Sequence, residues 1–168
     1  MEVWAAVRKS SSKKYLTDER INFIELNLSS EDDLRQQLSG HEFDYVVHAA
    51  GATKCLHKSD FFKTNTDGTK NLVHALITLK MPIKRFVYLS SLSIFGAIKE
   101  KSPYMEIDES DIPRPNTAYG KSKLMAEKFL DTIGNDFPYV ILRPTGVYGP
   151  REKDYFMMAK TIKGHIDF

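Results

Sequence analysis

Short apolar runs alternate along the chain with longer segments whose apolar residues recur every three or four positions. Glu2–Val7 and Ile21–Leu28 read as strands. Ser30 opens a helix: its hydroxyl is placed to cap, Asp33 follows three residues later as in a capping box, and Glu31 and Asp32 suit the positive end of the helix dipole. Leu34 and Leu38 share a face of that helix, and Gly40 ends it. Asp44–Ala50 is a further strand, with too little polar alternation to be half exposed. A long helix runs from about Asp60 to Leu79, with Leu72, Leu76 and Leu79 at helical spacing, and Pro82 closes the segment. Arg85–Ser90 is the next strand. The polar stretch from Lys99 to Asn116, with Pro103, Pro113 and Pro115, is a long loop of the kind that usually serves function. A helix from about Ala118 to Ile133, ended by Gly134, leads to a strand over Tyr139–Leu142; Asp154–Lys163 is helical, and His165–Phe168 starts another element.

Apolar strands of four to six residues alternating with amphipathic helices predict an α/β fold, with a parallel sheet covered on both faces. With 168 residues, the chain suffices for one compact domain. A net charge of +2, from 24 basic and 22 acidic residues, lacks the basic stripe of a nucleic-acid binder. The single cysteine, Cys55, cannot form an internal disulfide. No apolar run approaches the roughly 18 residues of a membrane span, and Met1-Glu2-Val3-Trp4 does not start like a signal peptide. The expectation is a soluble cytoplasmic protein without nucleic-acid or membrane partners.

In parallel α/β sheets, ligands bind beyond the carboxyl ends of the strands, so the residues there carry the functional reading. Arg8 and Lys9 follow the first strand, where an arginine accommodates a ribose 2′-phosphate; the alternative is a solvated basic turn. Asn27 and Leu28 follow the second, where the Asn27 amide would meet an adenine edge or else help cap the Ser30 helix. Ala49, Ala50 and Gly51 follow the third, small enough for a ligand to lie against backbone. His48 reads as a satisfied core histidine, and with no second ligand at suitable spacing no metal is expected. Ser90, Ser91 and Ser93 follow the fourth strand and suit a substrate oxygen; no nucleophile elbow surrounds them. Tyr119 and Lys123 share a helical face four residues apart, and an ammonium beside a phenol favours phenolate, as general acid/base chemistry requires.

Five segments in order carry a resemblance: His48–Gly51, Asn65–Leu72, Val87–Gly96, Tyr119–Lys123 and Arg143–Pro150. Together the chain resembles the extended short-chain dehydrogenase/reductase family, in its nucleotide-sugar epimerase/dehydratase branch. The resemblance implies a Rossmann-like doubly wound parallel sheet. It implies hydride transfer between a nicotinamide and a substrate carbinol or ketone carbon. Tyr119 would be the acid/base, Lys123 would hold the nicotinamide ribose, Ser91 the reacting oxygen, and Asn65 would support the site. Pro144 and Val147 would line the nicotinamide pocket, and Asn27 and Leu28 would flank adenine. Arg8 resembles the 2′-phosphate position of dihydroflavonol-reductase-like members, which favours NADP over NAD. Lys54 and Ser93 are further substrate candidates, and the substrate itself would be a sugar nucleotide or another small carbonyl or carbinol compound. A homodimer would form through the long helix and the Ala118–Ile133 helix, with Met125, Phe129 and Leu130 as candidate apolar contacts; the alternative is that they face the sheet, as Leu130 is expected to do.

The sequence departs from the family pattern. The family's first strand and its Gly-x-x-Gly-x-x-Gly loop would stand before Glu2, and that strand is the central one of the sheet. Residues 1–150 then correspond to a dinucleotide-binding core truncated at its start, and residues 151–168 to the opening of a substrate-binding region. Such a chain is expected to bind dinucleotide weakly and turn over little. Gly146 stands where epimerases commonly carry a substrate-touching asparagine, which argues against a nucleotide sugar. The competing reading is a non-catalytic NADP(H)-binding sensor or scaffold, against which the intact Ser91, Tyr119 and Lys123 argue.

Overall fold

A computed structural model describes residues 1–99, 105–134 and 136–164. The parallel sheet is present in two parts. Strand β1 (Val3–Val7) pairs in parallel with β2 (Ile21–Glu25), Val3 opposite Ile21 and Val7 opposite Glu25. The two are joined by residues 8–20 without an intervening helix. The second part has the order β3–β4–β5, with β3 (Tyr45–His48), β4 (Arg85–Leu89) and β5 (Tyr139–Leu142) all parallel. Each strand forms where its apolar run predicts, with some ends a few residues shorter. The break falls between β1 and β3, where the family pattern places the central strand.

One face of this sheet is buried. Helices α1 (Glu31–Leu38), α3 (Gly68–Thr78) and α4 (Ala118–Thr132) cover it, and Leu34, Leu38, Leu72, Leu76, Phe86, Tyr88, Ala126 and Leu130 form one core. Residues alternate along β4: Phe86 and Tyr88 point into this core and are fully buried. The opposite face is open. Tyr45 and Val47 of β3 are 63% and 65% exposed, and Val140 and Leu142 of β5 are exposed beside them. This corrects two expectations, that both faces would be covered and that β3 would not be half exposed. Apolar residues on both sides of a strand record that it suits burial on both sides; they do not supply the second cover.

Ser30 caps α1 as predicted, accepting from the Asp33 amide at 3.1 Å. The reciprocal arm differs, because the Asp33 carboxylate accepts from the Asn27 side chain at 2.7 Å. The predicted long helix starts slightly earlier and changes pitch. α2 (Lys58–Phe61) passes into a π-helical stretch, Phe62–Asp67, before α3. Thr117 caps α4 by accepting from the Gly120 amide at 3.0 Å. α5 (Asp154–Lys163) forms where predicted but leaves Tyr155, Phe156, Met157, Met158 and Ile162 exposed. The expected loop from Lys99 to Asn116 is described only in part, and the element expected at His165–Phe168 lies outside the described residues. Among the described residues, no helix is long and apolar enough to cross a membrane.

Candidate functional site

The carboxyl ends of β3 and β4 meet the π-helical stretch and the first turns of α4. A π-turn inserts an extra residue per turn and redirects side chains. Here it turns Asn65 and Thr66 inward, both 1% exposed. The Asn65 carboxamide accepts from the Ala52 amide at 2.7 Å and donates to the Ala52 carbonyl and to Ser122 Oγ, both at 3.0 Å. Thr66 donates to the Ser122 carbonyl at 2.8 Å. The loop after β3 and helix α4 are thus fixed to one buried amide.

Lys123 lies at the centre of this arrangement. It is 4% exposed, and its ammonium donates to the Leu89 carbonyl, the last of β4, at 2.6 Å. The ammonium also sits 4.7 Å over the Tyr88 ring, a favourable cation–π placement. Burial lowers the Lys123 pKa to about 8, against the opposing pull of the Glu127 carboxylate. A Cβ at Gly51 would fall 3.1 Å from Asn65 Oδ1 and 3.6 Å from Lys123 Nζ. Glycine therefore leaves the backbone bare beside the ammonium.

Tyr119 stands one turn before Lys123 on α4, half-buried, with its ring edge-on to Phe61 at 6.1 Å. Among the described residues its hydroxyl makes no hydrogen bond to Lys123 or Ser91. Ser91 caps a short 3-10 turn, Leu92–Ile94, accepting from the Ser93 amide at 3.2 Å and donating to Ser93 Oγ at 3.1 Å. The turn is held against α4 because Gly120 has no side chain: a Cβ there would lie 2.3 Å from the Ser93 carbonyl oxygen. Pro144 joins the same locus, its carbonyl accepting from the Leu92 amide at 2.9 Å.

The other predicted positions are more dispersed. Arg8 and Lys9 are exposed just beyond β1, the Arg8 amide donating to Ser11 Oγ at 3.1 Å. The Asn27 amide group is committed to Ser29 and Asp33, the helix-supporting role. The Leu28 carbonyl accepts from Asn71 at 2.9 Å, which ties β2's end to α3. Ala49 and Ala50 are open to solvent, and Val147 is 70% exposed. Lys54 pairs with Asp154 of α5 at 2.8 Å. Gly146 is filled from outside by Tyr155, whose hydroxyl occupies the space of a Cβ. Of the three expected dimer contacts, Met125 is exposed, Phe129 packs edge-on against His74 at 5.1 Å, and Leu130 is fully buried against the core.

His48 is buried and bonded through Nε2 to Thr69 Oγ1 at 2.9 Å, and Thr69 donates its own proton to the Asn65 carbonyl at 2.7 Å. That assigns the neutral tautomer with the proton on Nε2. Burial lowers the ring's pKa to about 4, with the Lys123 charge adding to it. Sequence reasoning gave no role to Glu127, and none to Arg143 beyond opening the Arg143–Pro150 segment. Glu127 is 2% exposed and takes a bidentate contact from Arg143 at 2.9–3.3 Å. Its signal was present: a glutamate four residues after Lys123 falls on the same buried helical face.

Comparison with known proteins agrees with this architecture. The sequence matches the NAD dependent epimerase/dehydratase family over residues 1–166, and the chain belongs to that family. It is 30% identical over 157 residues to a 3β-hydroxysteroid dehydrogenase/Δ5→4-isomerase of monkeypox virus, covering 86% of this chain and 44% of that protein. Its fold resembles the Bordetella bronchiseptica enzyme WbmG in complex with NAD (TM-score 0.79, 24% identity, 99% of this chain and 53% of that one). It also resembles RMD from Pseudomonas aeruginosa complexed with NADPH (TM-score 0.71, 25% identity, 99% and 63%). The chain thus spans about half the length of these proteins.

Proposed function

We propose that this chain carries the nicotinamide-proximal half of an NAD(P)-dependent oxidoreductase or epimerase site. The observation that supports this reading is the Lys123 ammonium, buried on the Leu89 carbonyl beside bare Gly51 and the anchored Asn65, with Tyr119 one turn away. An ammonium has three protons to donate. One is used by Leu89, which leaves the others for ribose hydroxyls. The buried hydroxyls of Tyr88 and Ser90 have no hydrogen-bond partner among the described residues. A polar ligand that lies along Gly51 would meet the Lys123 ammonium there. Lys123 would hold the ribose, with Ala49, Ala50 and Gly51 along its edge and Pro144 and Val147 beyond it. A bound nicotinamide supplies a hydride acceptor or donor.

Tyr119 then moves the proton of the substrate hydroxyl or carbonyl oxygen, and Ser91 holds that oxygen. Asn65 fixes the loop after β3 without joining the proton transfer. Arg8, exposed past β1 with its backbone tied into a turn, would meet a ribose 2′-phosphate, and its guanidinium, free among the described residues, supports the NADP reading. Lys54 and Ser93 would be the further substrate contacts, once Lys54 leaves Asp154, and residues 151–168 would open the substrate-binding region. The substrate is a small secondary alcohol or ketone. Tyr155 filling the space beside Gly146 argues against a nucleotide-sugar contact at that position. Self-association through α3 and α4 would use Met125 and the outer edge of Phe129.

The test is titration of NADPH and NADH into this chain, followed by nicotinamide fluorescence. The described residues hold no glycine-rich turn against a helix N-terminus to take a pyrophosphate, so binding will be weak. Lys123→Met will weaken it further by about tenfold or more, and Arg8→Ala will reduce the preference for NADPH. Tyr119→Phe will keep cofactor binding and lose any turnover of a hydroxysteroid or other secondary-alcohol panel, by roughly 100-fold or more. Absence of binding by either dinucleotide, or binding indifferent to Lys123→Met, overturns the reading.

A further inference from the structure

Glu127 stands one turn beyond Lys123 on α4 and is 2% exposed. A buried carboxylate without a partner is strongly disfavoured. Arg143 supplies the partner with a fork: Nη2 donates to Oε2 at 2.9 Å, and Nε reaches Oε1 and Oε2 at 3.2 and 3.3 Å. Arg143 is the first residue after β5 and precedes Pro144. Its guanidinium also lies 5.5 Å from the Phe95 ring centre, just past the turn that Ser91 caps. One carboxylate thus joins the helix of Tyr119 and Lys123 to the end of β5 and, through the Arg143 guanidinium, to the turn that follows β4.

We propose that Glu127 is a positioning residue of the site. Through Arg143 it locks the Lys123 helix against the strand ends that carry Ser91 and Pro144, and its negative charge offsets the exclusion of the Lys123 ammonium from water. The proposal deepens the functional reading above and rests on it for the meaning of Lys123; the interaction itself does not. The groups that face Lys123 define its field. His48 of β3 is neutral, the Tyr88 phenol of β4 lies beneath the ammonium, Asn65 of the π-helical stretch is uncharged, and Tyr119 and Glu127 flank it on α4. Glu127 is the carboxylate among them, and Arg143 partly neutralises it.

The two charges of the pair therefore act on Lys123 in opposite directions. The experiment follows acetylation of Lys123 by trace acetic anhydride against pH, read by peptide mass spectrometry on the full chain. Glu127→Gln keeps size and one hydrogen bond to Arg143 and removes the charge. It will lower the Lys123 midpoint by roughly one pH unit. Arg143→Met will raise the midpoint or leave it where it is. Glu127→Gln/Arg143→Gln, which places an amide pair in the same space, removes both charges; it will lower the midpoint by less than Glu127→Gln alone and supplies the measurement if a single variant does not fold. A midpoint unmoved in the folded Gln variants, or moved the same way by Glu127→Gln and Arg143→Met, overturns the proposal. Failure of NADPH and NADH to bind the unaltered chain would instead overturn the functional reading and leave this titration intact.

Discussion

Single side chains decide most of what the buried polar cluster does with pH. His48 is held neutral: its folded pKa, about 4, lies below the ordinary 6.5. Below pH 6.5 the unfolded chain therefore binds a proton that the folded chain refuses. The stability from this group is fully present above pH 6.5 and is lost as pH falls toward 4. The difference is worth roughly 3 kcal/mol at its limit. Thermal unfolding followed by circular dichroism will show the melting temperature falling from pH 6.5 to 4.5. His48→Gln, which keeps a donor for Thr69, will flatten that slope while lowering stability above pH 6.5 by about 1 kcal/mol. An unchanged slope in the variant would place the acid sensitivity on carboxylates instead. Lys123 is shifted in the same sense, since its folded value lies below its unfolded one. Its cost is present below about pH 8 and is relieved as pH rises from there toward 10.5.

At the scale of the element, the site depends on how closely α4 approaches the turn after β4. Gly120 is where the two backbones meet. Two effects of Gly120→Ala oppose each other. Alanine favours the helix by about 1 kcal/mol. Its methyl would lie 2.3 Å from a backbone carbonyl and 3.1 Å from the Pro115 side chain, and neither can swing away. The clash wins, and net destabilisation of about 1–3 kcal/mol is expected in chemical denaturation. Dinucleotide binding will weaken as well, because Tyr119 and Lys123 ride on the displaced helix. A neutral or stabilising result would show that α4 sits further from β4 than described.

The whole molecule carries a sheet with one open face and a break between β1 and β3. Tyr45, Val47, Val140 and Leu142 form an apolar surface with no helix over it among the described residues, and α5 adds Phe156 and Met157 as further exposed apolar side chains. Contiguous apolar surface of this kind associates or binds hydrophobic dyes. The chain by itself will bind an environment-sensitive naphthalene dye and will sediment as concentration-dependent species. Val47→Thr with Leu142→Thr will reduce both signals and leave the far-ultraviolet circular dichroism unchanged, because neither side chain enters the core. Dye binding unaffected by these substitutions would move the sticky surface elsewhere, with α5 the next surface to test.

The legible parts of this protein are those written in local pattern. All five strands, the Ser30 cap, α4 and α5 follow from period, capping residues and breakers, since these act within a few residues of one another. The ordered motifs at the strand ends carry the family in the same way. Other features depend on residues far apart in the chain. Asn65 faces inward only because a π-turn rotates it toward Ala52 and Ser122, and a helical period cannot show a change of pitch. Glu127 becomes part of the site only when β5 delivers Arg143 to it. The exposure of Tyr45 and Val47 has the same origin: an apolar strand encodes what it would bury, and the tertiary arrangement alone settles whether anything lies on top of it.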